Sequence, residues 1–357
     1  MPWSTAYWLA RRRSSLRYLV FGTGAVGALV GGKLALAGFP VTFLARPRIA
    51  EAMQTHGLHL SGDRTQGVVE RAHAIAEMSG MEKPDLILMT VKTYDAEAAA
   101  VEIEAAFPDP PTIVSLLNGI GSDQMLAARF GEERVISATL TTAVQMIEPA
   151  VIHVARRRGI GVALNHPLAT EFIRDLEAAD FLALAYENAE RMKWSKLLTN
   201  IVANASSAIL GWTPSQVYSH PSIASIEIES LRETVRVLRV IGYTPQDLPG
   251  VRVSLLARAV FLPQLLIRPL LRKIVSEGRG DKKPSLHFDI GRGKSEVLQL
   301  NGAVVQAGSH LGSPAPANQL LTDTLMKLAN GQEDPERFQN NPELLIQLAR
   351  EYDVPGV

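Results

Sequence analysis

The chain has 357 residues, with 36 Lys+Arg against 36 Asp+Glu and no cysteine. That length supports two domains, and the missing thiols exclude a disulfide framework, an Fe–S cluster and thiol catalysis. The even charge argues against a general nucleic-acid binder, and the eight histidines show no H-x-x-x-H or H-x-H spacing, so no metal site is expected.

Residues 1–16 are basic and free of acids. They are expected to be a disordered extension, or to follow a start codon placed upstream of the true one. A twin-arginine export signal is set aside, because the apolar run after it reads as a strand. That run is 17–22 (RYLVFG), followed by a small-residue helix over 25–38 and a second strand over 40–45. Short strands are expected at 58–60 and 67–72, a buried strand at 85–91 and a helix at 96–106. Strands at 112–117 and 135–140 follow, and the runs near 151–154 and 160–164 are expected to extend the same sheet. Such alternation predicts parallel β-α-β units.

Beyond about residue 185 helical periodicity takes over, at 190–210, 223–241, 295–307 and 316–328. A boundary near 184–188 therefore divides a dinucleotide-binding domain (17–186) from a mainly α-helical one (187–330). Residues 331–357 read as a C-terminal appendage with a short helix at 342–352. Residues 245–280 look like an insertion, apolar and basic, interrupted by Arg258, Pro263, Arg268 and Pro269. A transmembrane helix wants ~20 mostly uninterrupted apolar residues, so none is assigned. A lid or packed helical hairpin is expected there, with a membrane-surface helix left open.

Gly22-Thr23-Gly24-Ala25-Val26-Gly27 lies between the first strand and the first helix, the context of a dinucleotide loop. Gly22 permits the turn, Gly24 lets the backbone approach a pyrophosphate and Gly27 lets helix and strand pack closely. The helix N-terminus then presents free N–H groups to the phosphates. The second strand ends in Leu44-Ala45-Arg46, with no acid before Glu51. An acid there would bond a ribose 2′-OH; an arginine suits a 2′-phosphate, so NADP(H) is expected over NAD(H), with Arg48 in support. Lys92 and Asn118 follow later strands and belong at the same carboxyl edge, unless they are a solvated lysine and an ordinary Asn-Gly turn.

In the second domain Lys196, Asn200 and Asn204 are spaced i, i+4, i+8, with Ser207 near the same stripe. On one continuous helix they share a face. A polar ridge on an otherwise apolar helix is costly unless it lines a site. Lys283-Pro284-Ser285 and the 291–297 run containing Glu296 complete the polar segments; alone they read as a cap and a helix start.

Taken together, GTGAVG at 22–27, LAR at 44–46, TVK at 90–92, LNGIG at 117–121, KWSKLLTNIVAN at 193–204, KPS at 283–285 and SEV at 295–297 resemble the ketopantoate reductase (2-dehydropantoate 2-reductase) family over residues 17–328. The resemblance implies an α/β fold: a Rossmann-type N-terminal domain, a mainly α-helical C-terminal domain and an active site in the cleft between them. It implies reduction of 2-dehydropantoate to (R)-pantoate with NADPH, a cytoplasmic step towards pantothenate and coenzyme A. Lys196 would be the catalytic general acid. Asn118, Asn200, Asn204, Ser285 and Glu296 would bind substrate, with Asn118 also beside the nicotinamide. Gly22, Thr23, Gly24, Ala25, Val26, Gly27, Arg46 and Lys92 would contact the cofactor. No metal, nucleic acid or transmembrane segment enters this scheme, and a homodimer is compatible with it.

Two departures stand out. The spacing from Ser285 to Glu296 is slightly shorter than in the family, and 245–280 could alter substrate preference. The same hydride chemistry on another 2-keto acid is the alternative within enzymes. A non-catalytic NADPH sensor is the alternative outside them, though it would have no use for a proton donor at Lys196.

Overall fold

The computed structural model describes residues 15–279 and 284–357. In the first half the chain runs β1 (Tyr18–Phe21), α1 (Ala25–Leu36), β2 (Val41–Leu44), α2 (Pro47–His56), β3 (Leu58–Gly62), β4 (Gly67–Val69), β5 (His73–Ile75) and β6 (Leu86–Met89). It continues through α3 (Ala96–Ala106), β7 (Thr112–Ser115), α4 (Ser122–Phe130), β8 (Val135–Leu140), β9 (Ala143–Glu148), β10 (Val151–Arg156), β11 (Ile160–Ala163), α5 (Ala169–Ala178) and β12 (Ala183–Tyr186).

Eight strands form one sheet in the order β12-β11-β8-β7-β6-β1-β2-β5, parallel throughout except β11 against β8. Its central strands are apolar on both faces because both are covered. Tyr18 and Val20 of β1 point to one core, Leu19 and Phe21 to another on the opposite face. β1 has β2 on one side and β6 on the other, so the chain reverses its direction of travel there. Such a switch point opens a crevice at the carboxyl ends of the strands.

β10 does not extend this sheet, contrary to the sequence expectation. It pairs with β3 and β9 in a separate sheet of order β4-β3-β10-β9. Helix α1 is packed by both sheets. A Cβ on Gly31 would strike Val20 and Phe43 of the large sheet, and one on Gly32 would strike Leu58 and Leu60 of the small one. A helix covered on two sides needs small and apolar residues all round, which is what AVGALVGG supplies. Leu16 also enters this core, so the expected N-terminal extension is shorter by at least that residue; residues 1–14 lie outside the described chain.

The second half is helical: α6 (Ala189–Asn200), α7 (Ala205–Leu210), α8 (Pro214–Ser219), α9 (Pro221–Ile241), α10 (Val253–Ala259), α11 (Gln264–Arg279), α12 (Asn301–His310), α13 (Pro316–Ala329), α14 (Pro335–Phe338) and α15 (Pro342–Glu351). Its core surrounds α9. Residues 331–357 are part of that core rather than an appendage. Phe338, Leu345, Ile346, Ala349 and Val354 are buried in it, and Tyr352 donates to Asp323 at 2.9 Å. The described part of 245–280 is a pair of helices on the domain flank, α11 lying against α8 and α9.

The expected helix over 190–210 is broken. α6 ends at Asn200, Ala203 takes a positive φ of 45°, and α7 starts at Ala205. The cause lies on another helix. Glu227 of α9, itself buried, accepts a hydrogen bond from the Ala203 N–H at 2.8 Å and another from the Ser206 hydroxyl. An acceptor fixed there draws the backbone out of the helical ladder.

Candidate active site

The pairings Phe21–Leu44 and Phe21–Met89 bring Gly22, Ala45 and Thr90 side by side at the carboxyl edge of the sheet. Gly22 has φ 98°, and a Cβ there would lie 2.8 Å from the Val91 nitrogen, so only glycine makes this turn. Thr90 donates to the Gly22 carbonyl at 2.7 Å, and Thr23 donates through its hydroxyl to the Leu44 carbonyl at 2.9 Å. These bonds tie the loop to both neighbouring strands. A Cβ on Gly27 would lie 2.5 Å from Thr90 Oγ1, whereas one on Gly24 would meet nothing within 4 Å.

The open side of the loop is therefore at Gly24, with Ala25 and Val26 half-buried behind it. No side chain caps α1, and its first turn holds no acid. Its first N–H groups remain available to an anion. Arg46 is exposed at the end of β2 and begins α2, and its side chain makes no ion pair with the described residues. An open glycine, uncapped N–H groups and a solvent-facing guanidinium fit a dinucleotide carrying a 2′-phosphate.

The neighbouring strand ends carry Lys92 and Asn118, and here the two domains meet. Lys92 Nζ donates to Glu296 Oε2 at 2.5 Å and to Asp289 Oδ1 at 3.4 Å. Glu296 Oε1 accepts from the Thr93 N–H at 3.2 Å and the Thr93 hydroxyl at 3.3 Å. Asp289 Oδ2 accepts from Ser295 Oγ at 3.1 Å and the Glu296 N–H at 3.0 Å, which orients the segment carrying Glu296. Burial alone would lower the Lys92 pKa, but the Glu296 and Asp289 carboxylates outweigh it and hold the ammonium above its ordinary range. Lys294 and Asp95 form a further ion pair across the same gap.

Asn118 lies between the domains as well. Its Oδ1 accepts from Asn200 Nδ2 at 3.2 Å, and its carbonyl accepts from Thr93 Oγ1 at 2.9 Å. Next to it, Ile120 N donates to the Gln299 carbonyl at 2.9 Å. Gly119, at φ 81°, passes so close to Gln299 that a Cβ would lie 2.4 Å from that carbonyl oxygen. Lys193 anchors α6 to the same region. Its buried ammonium donates to the Ser115 and Leu117 carbonyls at 3.1 and 3.0 Å and pairs with Asp123 at 3.2 Å.

Lys196 is half-buried on α6, one turn before Asn200, so the two share a face. Asn204 does not continue that face as an i+8 residue, because the helix has broken. It returns to the site by another route: Nδ2 donates to the Asn200 carbonyl at 3.1 Å and to Ser285 Oγ at 3.2 Å, and Oδ1 accepts from the Leu286 N–H at 3.3 Å. Ser207 is turned into the interior, its hydroxyl without a hydrogen-bond partner among the described residues. Lys283 lies outside the described chain.

Hydrogen bonds thus link Lys92, Asn118, Asn200, Asn204, Ser285 and Glu296, by way of Thr93, beside the sheet edge that carries the glycine loop and Arg46, with Lys196 one helical turn before Asn200. Sequence reasoning missed Thr93, Asp289, Lys193 and Glu227. Thr93 was the most accessible of these, being adjacent to Lys92 at a strand end.

Comparison with known proteins identifies the family. Residues 18–164 match the family described as ketopantoate reductase PanE/ApbA, and residues 188–329 match its C-terminal domain. The 2-dehydropantoate 2-reductase of Pyrococcus horikoshii is 28% identical over 312 residues, covering 86% of this chain and 95% of the relative. That of Archaeoglobus fulgidus is 26% identical over 324 residues, covering 88% and 98%. The crystal structure of a PanE/ApbA family ketopantoate reductase from Ralstonia eutropha JMP134 superposes with a TM-score of 0.76 at 26% identity, covering 89% of this chain and all of that one (100%). With both family domains matched in order, the chain belongs to the ketopantoate reductase PanE/ApbA family of oxidoreductases.

Proposed function

We propose that the protein is a cytoplasmic NADPH-dependent reductase that converts 2-dehydropantoate to (R)-pantoate, with Lys196 as general acid. The observation that carries this reading is the Asn118–Asn200 hydrogen bond. It joins the sheet edge beside the glycine loop to the helix turn that bears Lys196. The relatives named 2-dehydropantoate 2-reductase support the substrate.

The glycine loop and the α1 N-terminus would hold the pyrophosphate, and Arg46 the 2′-phosphate. When bound, the dinucleotide supplies the hydride. The chain's own residues do the rest. As charge builds on the substrate carbonyl oxygen, the Lys196 ammonium stabilises it and gives it a proton. Ser285 Oγ accepts from Asn204, which leaves its own proton for an incoming carboxylate. A carboxylate offers about four acceptor positions. Glu296 uses two of them on Lys92 and the Thr93 N–H, while the Thr93 hydroxyl proton goes to the nearer Asn118 carbonyl, and a remaining position suits a substrate hydroxyl. That bond would favour a hydroxylated keto acid over a plain one.

The test is NADPH oxidation with 2-dehydropantoate beside a panel of 2-keto acids. Lys196→Ala should lower kcat by about 10²–10⁴ while NADPH still binds. Turnover close to wild type would remove the lysine from its role. Turnover confined to a different keto acid would keep the chemistry and replace the substrate.

A further inference from the structure

Helix α11 buries one stripe, Ile267, Leu271 and Val275, against the helical domain. It is held there by Ser276, whose hydroxyl donates to the Arg272 carbonyl at 2.8 Å and is hydrogen-bonded to the Ser215 hydroxyl at 3.1 Å, and by Gln264, which accepts from Ser225 at 3.0 Å. The adjoining stripe is also apolar but faces outward, with Leu266 58% exposed, Leu270 41% and Ile274 49%, and Leu265, on the other flank, is 82% exposed. Phe261, Leu262 and, on α10, Leu255 continue it. Scattered exposed leucines are ordinary, whereas a row along one helix marks a contact surface.

The charge of this region is as unusual as its apolarity. Residues 248–276, between Asp247 and Glu277, carry Arg252, Arg258, Arg268, Arg272 and Lys273 and no acid, in a chain whose net charge is zero. By helix geometry Arg268 and Arg272, three and seven residues beyond Leu265, fall on its side of the helix, so a cationic flank runs beside the most exposed leucine. The helix is about 24 Å long, and Pro269 interrupts it. No described helix is long and apolar enough to cross a membrane.

The charges select the occupant. A second copy docked on a twofold axis would set this cationic patch against itself. An anionic lipid surface satisfies both features at once. Leucines enter the boundary between headgroups and acyl chains, and the arginines meet lipid phosphates. We propose that α11, with the turn before it, is a docking face for an anionic lipid bilayer, holding the enzyme on a membrane surface. The face lies on the domain flank, and no hydrogen bond joins a described residue of α11 to Lys92, Asn118, Asn200, Asn204, Ser285 or Glu296.

Co-sedimentation of the full chain with vesicles tests this, comparing phosphatidylcholine alone with phosphatidylcholine containing phosphatidylglycerol. Binding is expected only to the anionic vesicles, falling about tenfold or more as salt rises from low to about 0.5 M. The Leu265→Glu/Leu266→Glu variant should lose that binding while its kcat, KM and Tm stay at wild-type values. The milder Leu265→Ser should weaken it without loss. Failure to sediment with anionic vesicles would overturn the proposal. So would undiminished binding by the double variant. A wild-type dimer in light scattering that the double variant turns into monomers would assign the face to a second copy and overturn it too.

Discussion

The glycine-loop half of the site is made of backbone, and the other half of side chains. Gly22 to Arg46 is one stretch of chain, and its function rests on where side chains are absent and where N–H groups end. The other half draws Lys92, Thr93 and Asn118 from neighbouring strand ends and Lys196, Asn200, Asn204, Ser285, Asp289 and Glu296 from the helical domain. A site made of missing atoms fails when anything is added. A site made of side chains fails by degrees, according to which atom is taken away.

Lys196→Ala marks the largest expected effect and falls on kcat alone, as a side-chain half requires; if NADPH binding collapsed equally, the two halves would not be separable. Lys92→Met comes next. It leaves Glu296 and Asp289 buried without their cation, and stability should fall by about 3 kcal/mol in urea unfolding. No change would mean that the ion pair is replaced freely by solvent. Gly27→Ala should cost about 2 kcal/mol through overpacking and weaken NADPH with it. Unaltered NADPH affinity would break the claim that the loop works by close approach.

Arg46→Ala should weaken NADPH about tenfold and leave NADH nearly untouched, since a lost charged hydrogen bond is worth about 1.5 kcal/mol or more. Equal loss of both would refute the 2′-phosphate contact. The last effect lies outside either half. Burial pushes the Glu233 carboxyl up to about 7, although it accepts from the Ala317 and Asn318 N–H groups. Between its ordinary 4.5 and about 7 the folded state holds a proton that the unfolded chain has lost. Stability should therefore be greatest below that window and fall as pH rises through it, by at most about 1.4 kcal/mol per pH unit. Glu233→Gln should flatten this slope without changing the pH profile of kcat; an unchanged slope would place the titration elsewhere.

The comparison also explains what was legible in the sequence. The glycine loop, the strands around it and Arg46 are local, so strand, turn and helix punctuation revealed them. The family motifs marked Lys196, Asn118 and Glu296, but not that Glu296 would meet Lys92, 204 positions away. Nor did local pattern reveal the break at 201–204, because Ile201, Val202 and Ala203 all suit a helix. Its cause, Glu227, is 24 residues further on. β10 has the apolar alternation of any strand, and only its long-range pairing with β3 puts it in the second sheet.

Gly119 against the Gln299 carbonyl has one more consequence. Where the domains touch there, main chain meets main chain with no side chain between. The minimum thickness of the gap is thus fixed by covalent dimensions, like a shim in a vice. Changes to the neighbouring side chains can reshape the surroundings of this contact, but they leave the separation of the two main-chain segments as it is.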